Sequence, residues 1–358
     1  MENKTKVLII DDSAVIRKIL SVSLNKYKDI EVVGTAPDPF IARDKILSLK
    51  PDVLTLDVEM PRMDGLTFLK KIMTFHPIPT IMVSSLSQDG GDVTLKALEI
   101  GAVDYIAKPS NRLSCDVKNI IHDLYQKIKT ASTITMRRND NTKINQHKRT
   151  ANQTFPPKST QPHYTMFKGT NKIIVIGAST GGTEALKEVL VQMPADSPGI
   201  AIVQHMPEIF TKAFAQRLDS LCAIKVKEGK NGDSLTQGQA IIAPGNYHMK
   251  LRRNGSMYYI ETSQEERVHH QRPAADVLFD SAARFAGLNA VGVIMTGMGA
   301  DGARGLLKMK ESGAKTIAQD EESCVVFGMP KEAIKLGAVD KTVTLHKIPE
   351  TIFSFIHN

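Results

Sequence analysis

The stretch Lys172-Ile-Ile-Val-Ile-Gly-Ala-Ser-Thr-Gly-Gly182 limits the folds open to this chain more than any other. Ile173 to Ile176 is an unbroken apolar run, which suits a strand covered on both faces; a strand with one wet face alternates instead. Gly177 breaks the run, Ser179 falls on the turn, and Thr183 to Leu190 is a run of good helix formers with one apolar side. A strand, a small-residue turn and a helix hold a hydroxyl in the open, beside the unpaired amides of a helix N-terminus. Ser179 is therefore a candidate nucleophile, and the chain before residue 170 a candidate control apparatus.

The same alternation runs through residues 6 to 128. Lys6–Ile10, Glu31–Gly34, Asp52–Asp57, Pro79–Ser85 and Asp104–Ala107 read as five strands with helices between them. In the first helix, from Ala14 to about Lys26, Ser13 is placed to cap, and Val15, Ile19 and Val22 share one apolar face. This order predicts an α/β domain with a doubly wound parallel sheet. Such sheets bind ligands at the carboxyl ends of their strands. Asp11 and Asp12, Asp57, Ser84 and Lys108 all fall there. Three convergent carboxylates repel one another unless a cation sits among them, and oxygen donors suit a hard ion such as Mg²⁺. A lysine and a hydroxyl beside them can hold a phosphoryl group.

A length of 358 residues suggests two domains. No apolar run is long enough to cross a bilayer, and the N-terminus leads into a strand rather than a signal-peptide core, so a cytoplasmic location is expected. Cys115, Cys222 and Cys324 are too widely spaced for a zinc pattern or a disulfide framework and read as reduced thiols. The net charge of +8 invites a nucleic-acid reading. Between Lys129 and Thr170, however, lie eight basic residues and a single acid, Asp140, nearly the whole excess. That stretch, rich in Thr, Asn, Gln, Lys and Pro, reads as a solvated, flexible linker over 129–169.

Beyond it the alternation resumes. Gly199–Gln204 is an apolar strand ending at His205. A helix from about Glu208 places Phe210, Phe214 and Leu218 on one side. Lys225–Lys227 and Ala240–Ala243 are short strands. His248–Leu251 and Ser256–Ile260 read as a hairpin about Arg252-Arg-Asn-Gly255. A helix over Ala274–Phe285 precedes the strand Ala290–Met295, which runs into Thr296-Gly-Met-Gly-Ala-Asp-Gly302; Lys315–Ala318 is the last core strand. Ser179, His205 and Asp301 thus each follow a buried strand and can meet at one sheet edge. A histidine can take the serine proton near neutral pH, and an aspartate can orient the imidazole. Oxyanion donors would come from amides in Thr296–Met298 or at the Ser179 turn, each commonly worth about 3 kcal/mol. Taken singly, Ser179 and Asp301 could equally be helix caps, His205 a satisfied strand-end histidine, and the glycine run a phosphate cradle, although it lacks the Walker lysine and the Rossmann spacing.

Residues 5–125 resemble a response-regulator receiver domain of flavodoxin-like fold, on Asp11-Asp12, Asp57, Met60-Pro-Arg-Met-Asp-Gly65, Ser84 and Lys108-Pro109. The resemblance implies phosphorylation of Asp57 by a histidine kinase and Mg²⁺ bound by Asp12 and Asp57 with Asp11 and the Glu59 carbonyl. It also implies Ser84 as switch hydroxyl and Tyr105 as switch aromatic. Residues 171–358 are similar to the Rossmann-like catalytic domain of the protein-glutamate methylesterase family of bacterial chemotaxis. The motifs are Ile176–Gly182, Val203-Gln-His-Met-Pro207, Ala243-Pro-Gly245, Arg272-Pro with Asp276-Val-Leu-Phe279, and Met295–Gly302. This implies a triad of Ser179, His205 and Asp301, with Thr180 beside the nucleophile and the Met298 amide at the oxyanion. It further implies hydrolysis of glutamate methyl esters on methyl-accepting chemoreceptors, probable glutamine deamidation, and no cofactor in the catalytic domain. No nucleic acid and no membrane insertion enter this reading. The rivals are a receiver-regulated DNA-binding protein, which needs a helix-turn-helix and a basic reading face, and a non-catalytic nucleotide-binding or scaffolding module.

Overall fold

The computed structural model describes residues 4–84, 88–108, 114–134 and 171–357. Most of the stretch read as linker, together with Ser85 and Pro109, lies outside the described residues. The first domain runs β1 (Thr5–Ile10), α1 (Ala14–Leu24), β2 (Ile30–Ala36), α2 (Pro39–Leu49), β3 (Val53–Asp57), α3 (Gly65–Phe75), β4 (Thr80–Ser84), α4 (Gln88–Ile100), β5 (Asp104–Ala107) and α5 (Ser114–Ala131). Its five strands are parallel in the order β2-β1-β3-β4-β5. The crevice of this topology opens where the order reverses, beside β1 and β3, so Asp11 and Asp57 come together there.

Ser13 caps α1 through the Ile16 amide. The face assigned to that helix is corrected: Val15 and Val22 are 62% and 55% exposed, while Leu20 and Leu24 are buried and Ile16 packs with them. The row 16, 20, 24 rises in steps of four, which keeps it over the sheet; 15, 19, 22 lies beside it and faces outward.

The second domain runs β6 (Ile173–Ala178), α6 (Gly182–Val191), β7 (Gly199–Gln204), α7 (Glu208–Leu221), β8 (Lys225–Glu228), β9 (Ser234–Leu235), β10 (Gln239–Ile242), β11 (His248–Asn254), β12 (Met257–Ser263), α8 (Ala275–Phe285), β13 (Ala290–Ile294), α9 (Ala303–Glu311), β14 (Lys315–Gln319), α10 (Met329–Lys335), β15 (Lys341–Val343) and α11 (Ile348–His357). Seven parallel strands follow the order β15-β14-β13-β6-β7-β10-β8. The order reverses at β6, flanked by β7 and β13, which sets the ends bearing Ser179, His205 and Asp301 side by side. The hairpin is longer than its sequence suggests. Arg252 and Arg253 pair with Tyr259 and Tyr258 inside the ladder, so the turn narrows to Gly255-Ser256. An edge strand, β15, also follows the last core strand. Its residues Lys341-Thr-Val343 are too short and polar to show a buried run.

The two domains share one apolar cluster, in which Leu95, Leu98 and Tyr105 join Phe210, Phe214 and Leu218. Among the described residues no helix is long and apolar enough to cross a membrane. Cys222 and Cys324 are free thiols; burial, then the charges of Asp219 and of Asp320, push them up to about 11 and about 12.

Gly65 opens α3 with its amide on the Val58 carbonyl, and a Cβ there would stand 2.0 Å from the Asp57 carbonyl oxygen. Gly65→Ala is expected to cost about 1–3 kcal/mol, because the clash is with backbone and must be relieved by moving β3 or α3. Chemical denaturation checks this; an unchanged unfolding midpoint would show that the turn yields freely.

Candidate active site and its receiver cover

The turn after β6 is fixed by backbone. The Ser179 amide donates to the Thr296 carbonyl (3.0 Å), and the Gly182 amide donates to the Ser179 carbonyl (2.7 Å). Gly181, with φ +77°, is the N-cap of α6 and makes no side-chain cap bond. Ser179 is therefore not the helix cap, and its hydroxyl is left for other work. His205 follows β7, its amide on the Ala178 carbonyl at 3.1 Å. Its Nδ1 lies 3.1 Å from Ser179 Oγ, and its Nε2 lies 2.7 Å from Asp301 Oδ2. An ionised carboxylate only accepts, so Nε2 carries the proton and Nδ1 keeps a lone pair facing the hydroxyl.

Asp301 is buried, and it is not the cap of α9, whose N-cap is Gly302. It reaches across to another helix: Oδ2 accepts from the Ala275 amide (2.6 Å) and Oδ1 from the Asp276 amide (2.9 Å), the first turn of α8. Burial alone would raise its pKa. The hydrogen bond and charge of His205 and these two amides outweigh that and hold the carboxyl below its usual range. The positive end of α8 points the same way.

Around this trio lie residues to which the sequence assigned no role. Gln319, buried as the last residue of β14, accepts from the Thr296 amide through Oε1 (2.8 Å), steadying the loop that carries Met298. Asp276 accepts from the Gly305 amide (2.7 Å) and lies 2.9 Å from His269, tying α8 to α9. A cleft of about 470 Å³ opens beside the Ser179 turn, between α6 and the loop Ser323–Val325.

The first domain brings a second set of site residues together. Lys108 Nζ lies 2.7 Å from Asp57 and 3.4 Å from Asp11. Asp11, Asp12 and Asp57 each offer an oxygen within 4.8 Å of the others. Asp11 Oδ2 is buried; it faces the Lys108 ammonium at 3.4 Å but makes no well-aligned hydrogen bond among the described residues. Burial pushes Asp57 up to about 6, with Lys108 opposing and the Asp11 charge adding to the rise. Burial likewise raises Asp11. Two buried carboxylates that share one ammonium, with the oxygens of three acids within 4.8 Å of one another, fit a hard divalent cation. Glu59 sits at this edge, its amide on Asp57 Oδ1 (3.2 Å), and Ser84 is buried at the end of β4.

The two sites are joined through β5. Asp104 accepts a hydrogen bond from the Thr180 hydroxyl, one residue from Ser179, and pairs with the half-buried Lys127 at 2.9 Å. Burial would lower Lys127, but the charges of Asp104 and Asp123 keep it raised. Tyr105 packs edge-on against Phe210 of α7 at 4.8 Å, its hydroxyl buried without a hydrogen-bond partner among the described residues. Thr130 of α5 lies 2.6 Å from the Met298 sulfur, and the His122 and His270 rings meet at 5.7 Å. Outside this core Glu99 of α4 pairs with both Lys187 and Arg217. The face made by α4, β5 and α5 thus covers the serine turn. Sequence patterning could not locate these pairs, because each joins residues far apart in the chain.

Comparisons with known proteins bear on the family. Residues 174–352 match the family model described as CheB methylesterase, and residues 7–115 match the response regulator receiver domain. A protein of Syntrophus aciditrophicus named protein-glutamate methylesterase/protein-glutamine glutaminase 2 is 58% identical, over 99% of this chain and 100% of its own length. A Geobacter metallireducens protein named protein-glutamate methylesterase/protein-glutamine glutaminase 1 is 54% identical over 99% of this chain and 96% of its own. The crystal structure of the Thermotoga maritima CheB methylesterase catalytic domain superposes with a TM-score of 0.50 at 41% identity, covering 51% of this chain and 97% of that domain. With a serine–histidine–aspartate row at the fork of its second sheet and a receiver domain closed over it, the chain belongs to the CheB methylesterase family.

Proposed function

We propose that this chain hydrolyses glutamate methyl esters on chemoreceptors through Ser179, His205 and Asp301, under control of phosphorylation at Asp57. The observation that carries the reading is the row Ser179 Oγ, His205 and Asp301, linked at 3.1 and 2.7 Å. Ser179 Oγ attacks the ester carbonyl as His205 Nδ1 takes its proton, and Asp301 stabilises the imidazolium. The Met298 amide meets the developing oxyanion, and Thr180 supports the turn beside the nucleophile. The proton on Nδ1 passes to the departing methoxide, and methanol leaves an acyl-serine. Water, deprotonated by the same imidazole, cleaves that intermediate to glutamate and restores the serine. A glutamine side chain follows the same path with ammonia leaving, so one site serves deamidation. Side chains and backbone supply every group the acyl transfer needs, without a cofactor in this domain.

In the receiver, Asp11, Asp12 and Asp57 with the Glu59 carbonyl would hold Mg²⁺, which offsets the charge of an incoming phosphoryl group. Asp57 accepts that group from a chemotaxis histidine kinase, Lys108 pairs with it, and Ser84 and Tyr105 answer to it. Because Tyr105 packs on Phe210 and its neighbour Asp104 holds Thr180, rearrangement at β5 loosens the cover from the serine turn. The receiver is taken as residues 1–128, the linker as 129–169 and the esterase as 170–358. The α5 helix, running to Ala131, carries the first residues of that linker. The location is cytoplasmic, and neither nucleic acid nor membrane insertion takes part.

Ser179→Ala should cut methanol release from methylated receptor membranes by at least about 10³-fold; near-normal release would remove the serine from the chemistry. Deleting residues 1–165 should raise basal activity, and Glu99→Arg, which faces Lys187 and Arg217 with a like charge, should raise it less. Unchanged rates in both would refute the cover.

Asp57 ionises near pH 6 in the folded chain, against its ordinary 3.8. The folded state therefore holds an extra proton between these values, and stability falls as pH rises from about 4 through 6. A divalent cation that favours the ionised set should restore it, so Mg²⁺ should raise the thermal midpoint more at pH 7.5 than at pH 5. Asp57→Asn should flatten that dependence. Calorimetry across this range checks both; equal Mg²⁺ effects at the two pH values would contradict the assignment.

A further inference from the structure

Gln204, the last residue of β7, is buried, and its side chain turns back toward the serine turn. Its Nε2 donates to the carbonyl of Ser179 (2.9 Å) and to the carbonyl of His205 (3.3 Å). Those are the backbones of the nucleophile and of its base. The ladder between β6 and β7 pairs residues only as far as Ala178 with Gln204, and one further bond, from the His205 amide to the Ala178 carbonyl, follows it. Past that point the two chains diverge into different helices. A single carboxamide nitrogen carries two N–H groups, and here both are spent on bridging the gap.

The other end of the amide has no such use. Gln204 Oε1 is buried and accepts no hydrogen bond among the described residues. Reversing the amide would set an oxygen against two carbonyl oxygens, so the bridging orientation is the one the surroundings allow. An unpaired buried acceptor is a cost that folded proteins rarely carry without compensation. Space for that oxygen exists because residue 182 is glycine: a Cβ at Gly182 would lie 2.2 Å from Oε1 and 2.8 Å from Ala178 Cβ.

We propose that Gln204 is a positioning residue for hydrolysis, clamping the Ser179 and His205 backbones at the separation that keeps Oγ and Nδ1 in contact. It touches neither substrate nor reacting atoms and acts through the two residues it bridges. The inference rests on the reading of Ser179 and His205 as nucleophile and base. The 3.1 Å contact between them leaves little slack, and misplacement by about 1 Å costs on the order of 10²-fold in rate.

The test uses the full chain, phosphorylated by a small acyl phosphate, with methanol release from methylated receptor membranes as the assay. Gln204→Ala removes the clamp and leaves a void. Gln204→Glu keeps the shape but, when ionised, has no donor for either carbonyl. Both should lower kcat about 10- to 100-fold with KM within about twofold of the parent. Both should slow covalent labelling of Ser179 by a fluorophosphonate in proportion to kcat. Gly182→Ala should act in the same direction, and combining it with Gln204→Ala should give less than the product of the two separate losses. A parental kcat in folded Gln204→Glu, or a loss confined to KM, would overturn the proposal. If Gln204→Ala does not fold, Gln204→Glu decides alone; if neither folds, the residue is a structural one and the proposal fails. Ser179→Ala run in parallel separates the two readings: activity surviving there removes the triad itself, whereas its loss beside a normal Gln204→Glu removes only the clamp.

Discussion

The hydrogen bond from His205 to Asp301 sets the geometry on which the rest of the second domain depends. It holds one tautomer of the imidazole, and so decides that the lone pair on Nδ1 faces Ser179. For this the carboxylate must remain charged in a buried place. The first-turn amides of α8 make that possible: the Ala275 amide shares Oδ2 with the imidazole, and the Asp276 amide pairs with Oδ1. The strand order then does the remaining work. With β6 between β7 and β13, three groups spread along the chain are brought to one crevice.

Much of this was legible in the residues themselves. The apolar runs at Ile173–Ile176, Gly199–Val203 and Ala290–Ile294 mark strands covered on both faces, and a polar residue after each marks the edge where such sheets bind ligands. Helix faces were harder. In α1 the apolar residues lie nearly all around, so composition could not say whether 15, 19, 22 or 16, 20, 24 meets the sheet; packing against β1 and β2 decides it. Least legible were the polar contacts. Asp301 capping α8 and Asp104 holding Thr180 join residues 26 and 76 positions apart, and no local pattern encodes such pairs. Gln204 sits inside a recognised motif, yet nothing in the motif tells which way its amide turns.

The seam between the domains mixes two kinds of contact. Leu95, Leu98 and Tyr105 against Phe210 and Phe214 supply apolar burial, which holds without regard to direction. Asp104 supplies a buried charge paired with the half-buried Lys127, which Asp123 meets from its more exposed side; a buried charge holds only while its partner stays in place. A seam built this way is sensitive to small displacements of β5, because losing Lys127 leaves the Asp104 carboxylate unpaired away from water. That is the property a reversible cover needs, and it is concentrated on the strand that also bears Tyr105.

The order of the domains along the chain has its own outcome. The hydrolase crevice is incomplete until Asp301 joins the sheet, late in synthesis, whereas the receiver ends near Ala131 and domains fold from the N-terminus onward as the ribosome releases them. In the proposed arrangement, the covering domain is therefore made before the crevice that it covers.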